Sequence, residues 1–504
     1  MNRYAAWPLF AIATGGLTNA AFAHGTAERY DLPLPLGYYV AGAALIVAMS
    51  FVVMAIFIYR EPRADPYPRF DICSVDRLRG PVADALQAFG VFALVAIIAT
   101  GLFGNQHPAK NLAPTLVWVA WWVGLGLFVP LIANVWPALS PWHTLSQLID
   151  RERKPAVRTY PARLAEWPAV AALLVFVWIE LVSPFASSPR TLAVLALAYT
   201  AGTLAAISIY GREAWLKQGE AFTLVFNLLG RFAPIALLPA DACDRASGHI
   251  LAVRPPSAGL LSADAPSNAV VAFLLLLLSA VLFDGLLGTA FWRAIERWLP
   301  GDREGLFAAT LGLVGIWAVF LVAYVGACAA MAAVTGGHTP VAGLSRRYAL
   351  TLVPIAVGYA MAHNFSYVLV QAQALLALVS DPFGWGWNLF GTAGLEPDIG
   401  IVDARTTWRV AVAAIVLGHI MSVVLAHIIA LRTEPTRRSA VLGLMPLTLV
   451  MVAYTAVSLS IIADPLVRFR TPDPDYSALI RQGLSGQSAT QKPRYCATSG
   501  KWFC

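Results

Sequence analysis

Five ionisable residues sit inside long apolar runs: Glu180, Asp284, His363, His419 and His427. An ionisable group in hydrocarbon is expensive and as a rule faces a bundle interior, where it pairs, holds an ion or relays a proton. Neutral imidazole accompanied by a carboxylate suits copper or zinc, so Asp284, His363 and His419 form a candidate divalent-metal site with Glu180 nearby. A metal held in this way lowers the pKa of a bound water and polarises an electrophile, which is the chemistry of hydrolysis. Residues 419 and 427 are separated by about 12 Å of helical rise. That is too far for one ion, so His427 belongs to a second layer or to a pathway. Asn364, Tyr367 and Gln371 follow His363 at helical spacing and could line the same cavity. The plainer reading is that all these groups are interhelical hydrogen bonds that hold a bundle together.

A second candidate lies at the amino terminus. Residues 1–23 read as an export signal, with Arg3, an apolar segment from Ala5 to Gly16, and Ala21-Phe22-Ala23 as a small-residue cleavage site. Cleavage would leave His24 first in the mature chain, its α-amine and imidazole forming a chelating pair suited to copper. His107, in the short loop GNQHPAKN, would supply a third nitrogen. The alternatives are an uncleaved anchor helix and an accidental histidine at the junction. His143, His249 and His338 fall in loops on the opposite side and read as ordinary surface residues.

The elements that must position these groups follow from composition. Of 504 residues, 58% are apolar and only 12% are charged, against about a quarter charged in soluble proteins. A soluble enzyme is excluded. The apolar residues run continuously rather than alternating, which also excludes an outer-membrane barrel. Five cysteines are too few and too scattered for a disulfide scaffold. The expected fold is all-α: a polytopic membrane helix bundle forming one domain over residues 24–465.

Ten spans are read, at about 37–59, 83–103, 114–136, 167–186, 190–210, 268–291, 306–334, 347–378, 409–431 and 440–463. The segment 221–238 is apolar but interrupted by Asn227, Arg231 and Pro234, and is expected to be interfacial or re-entrant. The loop 379–408, rich in Trp, Gly and Phe, either caps a cavity on the outer face or anchors helices at the headgroups. The tail 466–504 is polar and carries Cys496 and Cys504, which could pair in an oxidising compartment.

Charge orients the bundle. The five loops assigned inward carry 20 Lys and Arg, and the outward segments before the tail carry eight. This positive-inside pattern places the chain in a bacterial inner membrane, with the mature amino terminus and the tail in the periplasm. The net charge of +7 is then a topology signal. The lipid bilayer is the expected partner, and nucleic acid is not. In this orientation Glu180, Asp284 and His419 lie about 9 to 15 Å below the outer surface, and His363 about 22 Å. They would open toward the periplasm.

A mature chain beginning His24-Gly25 resembles the copper-binding amino termini of periplasmic copper proteins, of lytic polysaccharide monooxygenases and of a subunit of particulate methane monooxygenase. A broader likeness runs through Arg29-Tyr30-Asp31-Leu32-Pro33-Leu34-Pro35, Leu282-Phe283-Asp284-Gly285-Leu286, and Pro354-Ile355-Ala356-Val357-Gly358-Tyr359 leading to Ala362-His363-Asn364. These motifs resemble the bacterial integral-membrane family labelled fenitrothion hydrolase. The resemblance implies hydrolysis of an organophosphorus triester, a small apolar substrate, by a membrane-bound enzyme acting with a related membrane subunit; it carries no catalytic assignment. The sequence has no phosphate-cradling Gly-Lys-Ser/Thr loop, no HExxH and no GxSxG. Two other classes stand beside the hydrolase: a copper-handling protein or ion-coupled transporter, and a structural membrane subunit.

Overall fold

Five of the apolar helices open on a side chain that caps them, namely Asn111, Ser188, Glu220, Ser267 and Asp403. A computed structural model describes residues 30–58, 69–74, 76–149, 157–239, 249–261, 265–299, 305–337 and 339–468. The helices are α1 (Leu36–Phe57), α2 (Asp76–Phe103), α3 (Leu112–Leu131), α4 (Trp167–Leu181), α5 (Pro189–Tyr210), α6 (Ala221–Gly230), α7 (Asn268–Leu287), α8 (Leu306–Val334), α9 (Val341–Gln371), α10 (Ala404–Thr433) and α11 (Arg437–Leu466). Among the described residues, nine of these are long and apolar enough to cross a membrane. The protein is an all-α, multi-pass helical bundle in contact with lipid.

Each of the ten expected spans corresponds to a helix, but the fourth differs in length. α4 has only 15 residues, about 22 Å of rise. Two observations favour its crossing. Ser267, the N-cap of α7, donates its hydroxyl proton to the Glu166 carboxylate just before α4, so the two helices start at one level. At their other ends Glu180 and Asp284 interact electrostatically, so α4 runs beside α7. The chain ends agree, because β1 (Tyr30–Asp31) pairs in parallel with β5 (Val467–Arg468). Both ends of the bundle therefore lie on one face, as an even number of crossings requires.

α7 is the centre of the bundle: 83% of its apolar window is buried, against 17% for α2 and α8. The closest helix pair is α9 with α10. A Cβ on Gly358 would lie 2.5 Å from the Ala414 carbonyl oxygen, and one on Gly418 would lie 2.6 Å from that of Pro354. Only glycine permits this approach, the small-residue packing typical of membrane interiors.

The segment 221–238 is neither lipid-exposed nor wholly helical. α6 is buried on nearly every side and then turns into β3 (Ile235–Pro239), which pairs antiparallel with β4 (His249–Val253); β2 (Phe70–Ser74) completes a three-stranded sheet in the order β2-β4-β3. A small sheet built from the loops expected to face inward is a feature that the all-α reading lacked. The loop 379–408 docks by its backbone on the outer loop between α2 and α3, where the amide of Asn105 donates to Phe383 O and that of Leu112 to Pro382 O. Gly384, at φ +65°, makes this contact possible, since a Cβ there would lie 2.2 Å from the Lys110 carbonyl oxygen. Trp385 and Trp387 remain exposed at 55% and 40%. Residues 1–23, expected to be an export signal, and the tail from residue 469, with Cys496 and Cys504, lie outside the described residues.

Candidate functional site at one end of the bundle

Asp284 lies three residues from the end of α7, and His363 lies in the outer half of α9. Nε2 of His363 is 2.8 Å from Oδ2 of Asp284. The His363 side chain is 2% exposed and that of Asp284 is 20% exposed, so the pair has a closed end at the imidazole and an open end at the carboxylate. Gly285 creates the space, because a Cβ there would meet the Tyr359 hydroxyl at 2.8 Å and His363 Cε1 at 3.7 Å. Tyr359 stacks on His363 with ring centroids 6.2 Å apart and planes 14° apart.

Glu180 approaches from α4, beside Trp122 of α3, and interacts electrostatically with Asp284. Tyr367, one helical turn beyond His363, is coupled to both carboxylates. Two carboxylates sharing an apolar site favour a positive partner, whether a protonated imidazole or a bound cation. Glu180, Asp284, His363 and Tyr367 are thus brought together as expected. Asn364 is not part of the set, since its Nδ2 donates to Ala360 O on its own helix.

His419 lies deeper and apart. Its Nδ1 donates to the Ile415 carbonyl at 2.8 Å, an arrangement that leaves Nε2 as the acceptor nitrogen. That nitrogen is buried without a hydrogen-bond partner among the described residues, as are the hydroxyls of Tyr359 and Tyr454. Tyr454 stands between them, 5.6 Å from His419 and 6.3 Å from Tyr359 by ring centroids. The donors expected of a copper or zinc site were Asp284, His363 and His419, and the tyrosine layer separates the third from the first two. Among the described residues no group of three or more His, Cys, Asp and Glu side chains converges. Of the expected metal set, Asp284 and His363 meet and His419 stands apart.

His427 serves α1. Its Nε2 lies 3.0 Å from the Ile58 carbonyl, and Arg437 donates to the carbonyls of Ala55 and Ile56. The last carbonyls of a helix lack intrahelical partners, and these two side chains satisfy them. Between His419 and His427 the buried positions are Ser422, which donates to Met451 Sδ, and the apolar Val423, Leu425 and Ala426. His107 is exposed on the outer loop, its amide bonded to Asn105 Oδ1. His24, its proposed copper partner, lies outside the described residues.

Two charged residues that the sequence pattern does not single out have structural roles. Glu220 is 1% exposed and caps α6, accepting from the amides of Phe222 at 3.0 Å and Thr223 at 2.7 Å and from the Tyr199 hydroxyl. Arg254 is 8% exposed and closes the other end, donating to the carbonyls of Gly230, Arg231 and Ala233. An anion at the amino end and a cation at the carboxyl end complement the helix dipole. An acid directly before an apolar run is an available cap signal for Glu220; nothing local marks Arg254, which lies 24 residues from Gly230 in sequence. Comparison with known protein families, with curated proteins and with solved structures finds nothing that matches this chain.

Proposed function

We propose that the chain is a membrane-embedded hydrolase of small apolar esters, organophosphorus triesters among them, whose acid–base site opens on the outer face. The observation that carries this reading is the Asp284–His363 pair, 2.8 Å across, buried at the imidazole and open at the carboxylate. In this mechanism His363 donates to Oδ2 and orients the carboxylate. The free oxygen of Asp284 takes a proton from water as the water oxygen attacks phosphorus and the aryloxide leaves. Tyr367 is the hydrogen-bond donor to the substrate, and Glu180 stabilises positive charge on His363. A divalent ion, copper or zinc, would need Glu180 as its third protein ligand in place of His419. The site belongs on the periplasmic side of an inner membrane, because positive charge concentrates in the loops at the opposite end.

The test is hydrolysis of an aryl phosphorothioate triester by protein purified into lipid nanodiscs, with metal content measured on the same sample. Activity that Asp284→Asn removes is expected. No activity in the wild type, or an unchanged rate in Asp284→Asn, overturns the proposal. An ion-coupled transporter is the second reading, supported by the buried polar run of Tyr359, Tyr454 and His419. It needs access from the inner face, and the capping role of His427 weighs against it. Proton uptake into proteoliposomes that depends on His419 would favour it. Copper binding at His24 is a separate proposal, which amino-terminal sequencing tests.

A further inference from the structure

Next to the polar site, on the other side of α4, a cavity of about 600 Å³ is enclosed by α2, α3, α4 and α5, with α6 contributing Phe222. This is within the ordinary range of ligand pockets, about 300 to 1,000 Å³. No charged side chain lines it, and its walls are aliphatic or aromatic, with Trp118, Trp121, Trp142, Phe176, Tyr199 and Phe222 supplying ring surface. The polar handles of three of these rings are already engaged within the protein. Trp118 Nε1 donates to Ala186 O, Trp142 Nε1 to Thr200, and the Tyr199 hydroxyl to Glu220. An occupant therefore meets almost wholly apolar surface. The mouth faces the bilayer, since the lining residues Phe89, Phe128 and Val175 are 59%, 42% and 58% exposed.

One wall is unusual. Thr115–Leu125 within α3 is π-helical over 11 residues, whereas π-turns are rare, mostly single, and concentrated at functional sites. Trp118 and Trp121 from this stretch line the cavity, and Trp122, the next residue, lies beside Glu180. On α4 the same division recurs: Phe176 and Ile179 line the cavity, and Glu180 faces Asp284.

We infer that this cavity is a binding site for a purely apolar molecular body taken laterally from the bilayer, either the hydrocarbon chain of a lipid or the apolar body of a small lipid-soluble compound. In relation to the proposed function it would be the waiting site for the substrate, and that extension rests on the hydrolase reading. The binding site itself does not.

The experiment uses the full chain in nanodiscs and two photoactivatable diazirine probes, a phospholipid labelled mid-chain and a small apolar aryl compound, with crosslinks mapped by mass spectrometry. Enrichment of at least about fivefold on residues 116–128, 172–179 and 192–199 over other lipid-facing helices is expected for one probe or both. The probe that labels identifies the source. The double variant Ala172→Leu/Ala196→Phe fills the cavity with apolar bulk and should abolish the enrichment, and Val322→Phe, on the exposed face of α8, should not. Uniform labelling of all lipid-facing helices, or enrichment that survives the filled cavity, overturns the inference. The crosslinking readout is independent of catalysis, so an inactive protein that labels specifically rejects the hydrolase and keeps the site.

Discussion

His363 on α9 and Asp284 on α7 meet at 2.8 Å although 79 residues separate them in sequence. Their hydrogen bond joins the central helix of the bundle to its most closely packed helix pair. Removing either partner leaves the other polar group buried or half-buried without its mate, at a cost of about 1 to 3 kcal/mol. His363→Ala and Asp284→Asn are each expected to lower thermal stability in detergent by that amount. The double variant should fall short of the sum by at least about 0.5 kcal/mol, the mark of direct coupling. Strict additivity would show that the two groups do not interact.

The α9–α10 contact is expected to tolerate no added methyl group. Gly358→Ala and Gly418→Ala each place a Cβ within 2.6 Å of a backbone carbonyl oxygen, which cannot move aside as a side-chain tip would. Each substitution should cost about 1 to 3 kcal/mol through forced separation of the helices. Activity should fall in Gly358→Ala, because His363 shares that helix. Gly326→Ala, with open space around it, is the control and should leave unfolding temperature unchanged.

Glu220 and Arg254 stabilise a buried ten-residue helix that is too short to persist on propensity alone. Glu220→Ala removes the cap and is expected to cost about 1 to 2 kcal/mol. Glu220→Gln keeps one acceptor oxygen and should recover part of the loss. Hydrogen exchange at residues 222–230 should rise in both variants and in Arg254→Met. Protection equal to wild type in Glu220→Ala would refute the capping role.

A pH effect is expected at the start of α10. Asp403 accepts from the Thr406 amide, and the Thr406 side chain first, then that amide, ahead of the nearby Arg405 and Arg409, hold its carboxyl below the ordinary value of 3.8. A depressed pKa stabilises the helix start above the ordinary value, and this contribution is lost as pH falls through the lower native one. Exchange protection at residues 404–407 should therefore hold at neutral pH and weaken below pH 3.8. In Asp403→Asn, which caps without ionising, protection should not change over the same range.

His427→Ala tests whether the innermost histidine belongs to a pathway. Loss of its bond to Ile58 is expected to cost about 0.5 to 1.5 kcal/mol and to loosen the end of α1, with no change in turnover of an aryl phosphorothioate triester. A large fall in turnover or in proton uptake at unchanged stability would place His427 in function instead.

Much of this architecture was legible in the sequence, because a bilayer allows a chain few choices. With no water to satisfy the backbone, apolar runs must be helical, and the basic loops set one orientation for all of them. The same economy made Glu180, Asp284 and the three histidines conspicuous. Partnership was less legible. Asp284, His363 and Glu180 meet because α4 runs beside α7 and because Gly285 leaves room for Tyr359, and both are matters of packing between helices distant in the chain. His419 has the same residue type and is as fully buried, yet it faces Tyr454, since rotation about a helix axis is decided by what that helix packs against. Glu220 and Arg254 fall in segments whose local pattern reads as loop, and their roles arise only when the backbone ends of α6 lie beside them. The apolar pattern alone marks which segments can cross a membrane. Which of their polar residues touch is settled by packing, because contacts between helices depend on close approach at particular glycines and rings that no single helix encodes.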